Sequence, residues 1–252
     1  MKALGLIAVL GTGLLLLAAS RDFPNWGDPS SPASSYRLSR HFITQTINET
    51  AVPNMVTAVL ADYRGYDTLF EAVVIFTAGI AVIGILRRYG NRDFIPAGGE
   101  VHLTPKQPDL IVESTVRLLI PVIQIFALYV IAHGHHSPGG GFQGGVIFGA
   151  SFILLALARD LRTAQNWVAE KRMLILACCG ILIYAGIGVL CQLLGENFLD
   201  YQILHRILPT DPVMARYHSI LGVEIGVAFT VTAIMFSIYS NLSSNGQMKE
   251  GI

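Results

Sequence analysis

The sequence predicts an all-α integral membrane protein of about six transmembrane helices, because of its composition and of where its apolar residues fall. Hydrophobic residues fill 52% of the 252 positions and charged residues only 13%, and the mean hydropathy is +0.54. A soluble domain usually carries about a quarter charged residues, because charge keeps its surface hydrated. The apolar residues also fall in long stretches, close to the roughly 20 residues that a helix needs to cross a bilayer.

The apolar stretches set the order of spans and loops. They cover residues 3–19, 66–86, 114–133, 142–158, 173–194 and 219–239. The first stretch also resembles a cleavable signal peptide, because Lys2 precedes it and small residues end it at 18–20. We favour a retained helix, since its ~17 apolar residues are long for a signal core and its glycines suit helix packing. Whether this stretch is cleaved or retained, the segment that follows it lies on the outer side of the membrane.

The distribution of Lys and Arg predicts the orientation of the helices. The loops 87–113 and 159–172 are dense in Lys and Arg, whereas the loop 134–141 contains neither. Short loops rich in these residues stay on the cytoplasmic side. The sequence therefore predicts that both termini lie inside (N-in/C-in). The lipid bilayer is the first expected partner, and a net charge of zero argues against a nucleic-acid partner, which would need a basic surface.

A segment rich in Pro, Gly and charge separates the second and third apolar stretches. This composition, found over residues 91–112, is typical of a loop. We therefore predict a two-helix region at 1–95, a cytoplasmic linker at 96–112 and a four-helix region at 113–252. Within the first region, a weak amphipathic pattern near 41–50 predicts a helix on the outer surface or on a partner.

Ionisable residues inside or beside the apolar stretches are the candidates for an ion path. Given the orientation, six of them lie near the outer surface: Asp67, Glu71, His133, His135, His136 and Glu224. Asp67 and Glu71 are four residues apart and share one helical face. A carboxylate costs several kcal/mol in hydrocarbon, so these groups must face protein, water or each other. They are suited to exchange protons, since histidine and a buried carboxylate titrate near neutral pH. The alternative is that they reach the interface or join helices by hydrogen bonds.

The string HGHHSPGGGFQGG, residues 133–145, is the most unusual in the chain. It lacks the Lys-Ser/Thr of a phosphate-binding loop, and its histidines are not spaced to place two on one rigid face. We therefore predict neither a cofactor nor a metal. The expected structure is a tight reversal between the third and fourth helices, with Gly139, Gly140 and Gly141 supplying positive φ.

Two further patterns lie on single faces of the predicted helices. Glycines four residues apart, which let helices approach closely, occur at 145/149 and 222/226. In the third stretch, Arg117, Pro121 and Gln124 share one face. We expect the Arg117 side chain to extend to the cytoplasmic surface.

At the glycine-rich string, the chain resembles a known family. HGHHSPGGGFQGG, the helix LLIPVIQIFALYVIAHG before it and GVEIGVAFTVTAIMF in the last helix are similar to the MnhB family, a small membrane component of the multisubunit Mrp-type cation/proton antiporters. This resemblance covers roughly residues 110–245. The segments SPASSYRLSRHFI and TAVLADYRGYDTLFEAVVIFTAGIAVIGILRR are similar to the E-type component of energy-converting membrane-bound hydrogenases. They are also similar to the C-terminal region of the large A-type component of the antiporters.

The resemblance implies one subunit of a hetero-oligomer in the plasma (inner) membrane, beside antiporter-like subunits of the complex I kind. By position, Asp67 and Glu71 match the DTL-x-E element of the hydrogenase pattern. The residues that match the MnhB pattern are His133, His135, Pro138, Gly139, Gly140, Gly141, Phe142, Gln143, Gly144 and Gly145. The two patterns usually belong to separate chains, so an antiporter and a hydrogenase-type complex both stay open as hosts.

The leading hypothesis is a membrane subunit of an Mrp-type Na⁺/H⁺ antiporter module. We expect it to contribute to assembly and to an ion path near the outer surface, without a catalytic site of its own. One alternative is a membrane subunit of an energy-converting, hydrogenase-type respiratory complex. Another is a purely structural clamp whose glycine faces assemble its partners. A chain that transports or catalyses alone is less favoured, because the sequence has neither an inverted repeat nor a convincing set of metal ligands.

Overall fold

The computed structural model describes residues 2–23, 25–29, 31, 36–90, 110–244 and 246. In this part of the chain the regular elements are helices, with no strand. The α-helices are α1 (Lys2–Ala19), α2 (Tyr36–Thr50), α3 (Met55–Ala58), α4 (Gly65–Gly90), α5 (Leu110–Ala132), α6 (Gly141–Ala158), α7 (Leu161–Trp167), α8 (Glu170–Leu193) and α9 (Pro212–Ser243). Six of them, α1, α4, α5, α6, α8 and α9, are long and apolar enough to cross a membrane. The predicted all-α membrane fold is confirmed.

The boundaries of two spans differ from those predicted by hydropathy. α5 begins at Leu110, so the last three residues of the predicted linker form its first turn. The rest of that linker, 96–109, lies outside the described residues. α9 begins seven residues before the apolar stretch at 219, because Pro212 starts the helix. Its polar first turns remain helical because Ala215 is fully buried and Arg216 pairs with Asp62.

The chain divides into two compact units, residues 1–45 and 46–252. In the first unit, α1 exposes its apolar side chains, for example Leu14 and Leu15. The second unit is built around α9, which packs against α4, α6 and α8. Small residues allow this close packing, since Gly145 of α6 faces the α9 backbone at Ala228. α9 is therefore the element that brings distant parts of the sequence together.

A short irregular segment connects α2 to α4. Asn54 caps α3, since its side chain accepts a hydrogen bond from the Val56 amide. A single π-helical turn follows at Val59–Tyr63, and such turns are often found at functional sites. The helix predicted near 41–50 is confirmed as α2.

Candidate functional site

Glu224 of α9 lies at the wall of a cavity of 420 Å³ in the second unit. The residue is buried, at 8% exposure. The cavity walls come from α3 and the π-helical turn, from α4, from the loop before α6 and from α8 and α9. The polar residues of the lining are Asn54, Thr57, Thr68, Glu71, Gln143, Tyr184 and Glu224. A carboxylate in such a place is stable only if it is hydrogen-bonded, hydrated or protonated.

Two glycines of the loop before α6 and the first residue of α6, also a glycine, lie close to Glu224. A Cβ on Gly134 would lie 3.2 Å from Glu224 Oε1, and a Cβ on Gly140 or Gly141 would overlap the carboxyl group or the Glu224 backbone. The Gly141 amide donates a hydrogen bond to this carboxyl group. Gly139 and Gly140 have φ angles of 150° and 126°, a region that favours glycine. Gly141 begins α6 without a positive φ, so that part of the turn prediction is wrong. Its missing side chain is required by contact with Glu224 instead.

His135 faces the same carboxyl group from the loop. The residue is only 1% exposed, and its Nε2 lies 3.7 Å from Glu224 Oε2. Neither of these two atoms has a hydrogen-bond partner among the described residues. The His135 ring also contacts Tyr217 edge-on, with the ring centroids 4.3 Å apart. These two atoms are thus too far apart for a direct hydrogen bond with each other, and neither is hydrogen-bonded to another described residue.

Burial keeps the His135 imidazole neutral. Burial is the main cause that lowers the pKa of His135 from 6.5 to about 4, and charge repulsion from the nearby His136 and His218 contributes the rest. A neutral imidazole can accept a proton on one nitrogen and donate from the other. At neutral pH, His135 therefore faces Glu224 as an uncharged group.

Two residues of the segment before α4 hold the loop in place. The Asn54 side-chain amide donates to the carbonyls of Gly134 and Ser137, at 2.9 and 2.8 Å. The Thr57 hydroxyl donates to the Gly134 carbonyl at 2.8 Å. The backbone N–H of Asn54 donates to the His135 carbonyl at 2.9 Å. These contacts span about eighty residues of sequence, and no local pattern in the sequence indicates them.

The structure does not bring all six candidates from the sequence to the cavity. Glu71 lines it together with Glu224. Asp67 is half exposed and pairs with Arg64, which directly precedes α4. It is not among the lining residues. His133 stacks on Tyr129 with the ring centroids 5.0 Å apart. His136 is exposed and lies 3.3 Å from the Tyr217 hydroxyl. Of the six candidates, Glu71 and Glu224 therefore line the cavity, and His135 faces Glu224 without being a lining residue.

The other motif residues serve the cavity wall or the helix contacts. Pro138, Gly139, Phe142 and Gln143 line the cavity with Gly141. Gly144 packs against α5, where a Cβ would lie 2.9 Å from the Ala127 carbonyl, and Gly145 packs against α9. No group of three or more histidine, cysteine or acidic residues is arranged to bind a metal within the described ranges.

A second polar cluster next to the site could not be foreseen from local sequence. Arg216 Nε and Nη2 donate to the two oxygens of Asp62 at 2.7 and 3.0 Å. Burial raises the pKa of Asp62, while Arg216 acts in the opposite direction. Burial and a hydrogen bond to Glu49 also raise the pKa of Tyr63 to about 12. Asp62 and Tyr63 lie in the π-helical turn, so this cluster ties that turn to α9.

Comparison with known protein families identifies both halves of the chain. Residues 111–237 match the domain related to the MnhB subunit of Na⁺/H⁺ antiporter. This match spans half of the chain. The chain belongs to the MnhB-related family. Residues 30–107 match MbhE, the E-type component of MBH, in agreement with the second resemblance seen in the sequence.

Curated relatives and solved structures agree with this assignment. Proteins named antiporter subunit mnhB2 from several strains of Staphylococcus aureus, including Newman and COL, are 28% identical over 141 residues, which cover 55% of this chain and 96% of theirs. The Mrp complex from Dietzia sp. matches with a TM-score of 0.67 at 23% identity, over the whole of this chain. This chain spans only 27% of the Mrp chain that it matches. An archaeal membrane-bound sulfane sulfur reductase (MBS) matches with a TM-score of 0.57 at 23% identity, over 93% of this chain and 97% of that one.

The relatives and the six apolar helices make this MnhB-related chain a multi-pass plasma-membrane protein and a component of a transport complex. The structural matches are both to multisubunit membrane complexes.

Proposed function

We propose that this chain is a membrane subunit of an Mrp-type Na⁺/H⁺ antiporter module and that Glu224 belongs to an ion path through it. Glu71 and His135 are the proposed neighbours of Glu224 in that path. The chain would have no catalytic site of its own and would act beside other membrane subunits. We also propose that both termini lie in the cytoplasm, so that the cavity opens towards the outer surface. Labelling a cysteine introduced at His136 with a membrane-impermeant reagent tests this orientation.

The observation that supports the ion path most directly is the unpartnered facing pair of Glu224 Oε2 and His135 Nε2 among the described residues. A buried polar atom without a partner is costly in a structural role, but it is the state expected of a site that exchanges protons or a cation. Glu71 of α4 lines the same cavity. Two carboxyl groups that line one cavity can bind a cation or accept and release a proton.

Replacement of Glu224 tests the proposal. In the assembled complex, we expect Glu224→Gln to lower Na⁺/H⁺ antiport by about tenfold or more, the scale on which single acid–base groups act. Glu224→Asp should retain part of the activity, because the carboxyl group remains. Antiport is measured as the Na⁺-induced loss of a pH gradient in everted membrane vesicles from a host without its own antiporters.

The control is a carboxylate outside the cavity. Glu196 is exposed and is not among the lining residues, so Glu196→Gln should transport like the wild type. Native gels must show that each variant complex is assembled. Full antiport by an assembled Glu224→Gln complex would exclude Glu224 from the ion path, while loss of the complex itself would favour the structural role described next.

A purely structural clamp is the second candidate, and helix contacts favour it. A Cβ on Gly226 of α9 would lie 2.7 Å from the Gly180 carbonyl of α8. The Thr230 hydroxyl also donates to the Ala177 carbonyl of α8 at 3.1 Å. Such contacts suit a rigid core that holds partners in place. In that case carboxylate variants would leave transport unchanged, and bulky substitutions at Gly226 would dissociate the complex.

A redox-driven host complex is the other possibility, and the second family match favours it. Residues 30–107 match MbhE of MBH, and one matching structure is a membrane-bound sulfane sulfur reductase. Proteins that co-purify with this chain distinguish the two hosts. Antiporter subunits alone would support the Mrp module, whereas an additional redox protein would support the respiratory complex.

A further inference from the structure

A second cavity, separate from the Glu224 site, opens between α5 and α6. Its volume is 560 Å³, and its two ends differ in character. Apolar side chains form one end: Ile120, Phe148, Phe152 and Leu155. Charged and aromatic side chains form the other: Glu113, Arg117, Arg159 and Trp167. A mostly apolar pocket with a few convergent polar groups is the usual form of a small-molecule site.

The polar end lies near one face of the membrane. Arg117 is seven residues beyond Leu110, where α5 begins, and therefore lies ~10 Å along the helix. Arg159 directly follows the end of α6. Trp167 is 67% exposed, and tryptophan is enriched at the level of the lipid headgroups. The cavity therefore runs from the headgroup level towards the middle of the bilayer.

Arg117 lacks a counter-charge in the described part of the chain. Glu113, one turn before it, pairs instead with Arg159 across the mouth of the cavity at 3.1 Å. Arg117 makes no hydrogen bond or ion pair with any described residue. Arg117 is exposed, so at the headgroup level its guanidinium is accessible to an anion, which it would bind by charge-assisted hydrogen bonds. An anion from outside the described part of the chain is therefore the expected partner.

We propose that this cavity binds one anionic phospholipid, with the phosphate on Arg117 and an acyl chain along Phe148 and Phe152. Guanidinium groups bind phosphate oxygens by paired, charge-assisted hydrogen bonds. Basic pockets between transmembrane helices are suited to such headgroups. An acidic side chain of a neighbouring protein would match the charge but not the apolar end of the cavity. A phospholipid matches both ends at once.

Trp167 provides a direct measurement of binding. The chain has two tryptophans, so Trp26→Phe leaves Trp167 as the only one. The full chain is placed in phosphatidylcholine nanodiscs that contain a small fraction of phosphatidylglycerol, and either lipid is brominated on the acyl chain near the headgroup. Per molecule of brominated lipid, we expect phosphatidylglycerol to quench Trp167 fluorescence about fivefold more effectively than phosphatidylcholine, the effect of one Arg on an anionic headgroup.

Two variants and one control complete the test. Arg117→Gln should remove the preference for phosphatidylglycerol, whereas Arg162→Gln, an exposed residue that does not line the cavity, should retain it. Ala158 lines the cavity, so Ala158→Leu should reduce quenching by both lipids without a change of charge. Equal quenching by the two lipids in the wild type would overturn the proposal. So would an unchanged preference in Arg117→Gln, or full quenching in Ala158→Leu.

Discussion

At the scale of single residues, the Glu224 site depends on glycines that leave room for close backbone contact. A side chain on Gly134, Gly140 or Gly141 would occupy space next to Glu224, so the absence of side chains there lets the backbone approach this residue. A backbone amide is a fixed donor that does not titrate, and it stabilises the charged form of a carboxylate. One carboxyl oxygen faces the glycines and the other faces His135. One oxygen of the Glu224 side chain therefore faces backbone groups, which do not titrate, and the other faces an imidazole, which does.

The buried imidazole makes the stability of the protein depend on pH. The pKa of His135 is about 4 in the fold against 6.5 for a free imidazole, so the unfolded chain takes up the proton first as the pH falls. The contribution of His135 to stability is therefore lost as the pH falls below 6.5, by about 2 kcal/mol between pH 7 and pH 5. Between these two pH values, we expect the thermal midpoint of the purified chain in detergent to change less favourably in the wild type than in His135→Gln, which lacks this group.

The comparison variant for this titration is His205→Gln, because His205 is exposed. That variant should show the same pH dependence as the wild type. The groups facing His135 are His136, His218 and Glu224, and their own titration is common to all three proteins. An identical pH dependence in His135→Gln and the wild type would contradict the assignment of the effect to His135.

The sequence predicts only some of the residues that form the site. Helical spacing correctly places Asp67 and Glu71 on one helix, but only Glu71 lines the cavity, whereas Asp67 forms an ion pair with Arg64. That choice depends on where α4 meets its neighbours, which spacing alone does not fix. Asn54 and Thr57 were missed because they act on a loop about eighty residues away. A residue that caps a short helix gives no sign in the sequence that its side chain also reaches a distant loop.

At the scale of elements, α8 and α9 approach each other through glycine. A Cβ on Gly180 of α8 would lie 2.9 Å from the Thr230 amide of α9 and closer still to the Gly226 carbonyl. These are backbone atoms, so the helices themselves would have to separate. We expect Gly180→Ala to lower the free energy of unfolding by about 1–3 kcal/mol, the usual effect of overpacking. Thermal unfolding of the full chain in detergent measures it.

The same helix offers a matched control for that substitution. Gly186 also lies within α8, but a Cβ there meets nothing within 4 Å. Gly186→Ala should therefore be neutral or stabilising by about 0.5–1 kcal/mol, because alanine favours a helix over glycine. Equal losses of stability in the two variants would show that helix propensity, and not close approach, controls this interface.

The elements themselves were predicted better than their ends. Long apolar stretches identify all six candidate spans, because the bilayer requires a continuous apolar length whatever the tertiary contacts. The first turns of α9 were missed because they carry Arg216 and His218, which lower local hydropathy. Arg216 is tolerated there by its bond to Asp62 in the π-helical turn. That turn has no signature in the sequence, since it depends on contacts across α4 and α9.

At the scale of the whole molecule, polar contacts join the two family-matched regions inside one compact unit. Asp62 bonds Arg216 near the Glu224 site, and Asn54 holds the loop at Gly134. At the other end of the helices, Arg87 of α4 pairs with Glu170 of α8, whose second oxygen accepts from Asn241 at 2.8 Å. The first partner of each of these contacts lies within 30–107 and the second within 111–237. The regions are therefore held by contacts as well as by the chain that connects them.

This arrangement predicts that the two regions stay together after the chain between them is cut. We would insert a protease site between Gly99 and Glu100, within the predicted linker, and cleave the purified protein in detergent. Both fragments should remain in one peak on size exclusion, because the contacts and the packing of α4 on α9 persist. Removing one partner of a buried ion pair usually costs about 3–5 kcal/mol, so Asp62→Ala combined with Glu170→Ala should release the N-terminal fragment after cleavage.

The matched variant, Asp160→Ala with Glu196→Ala, removes two exposed carboxylates and should leave the fragments together. Separation of the wild-type fragments on cleavage would mean that the covalent connection, and not the two ion pairs, holds the regions in place.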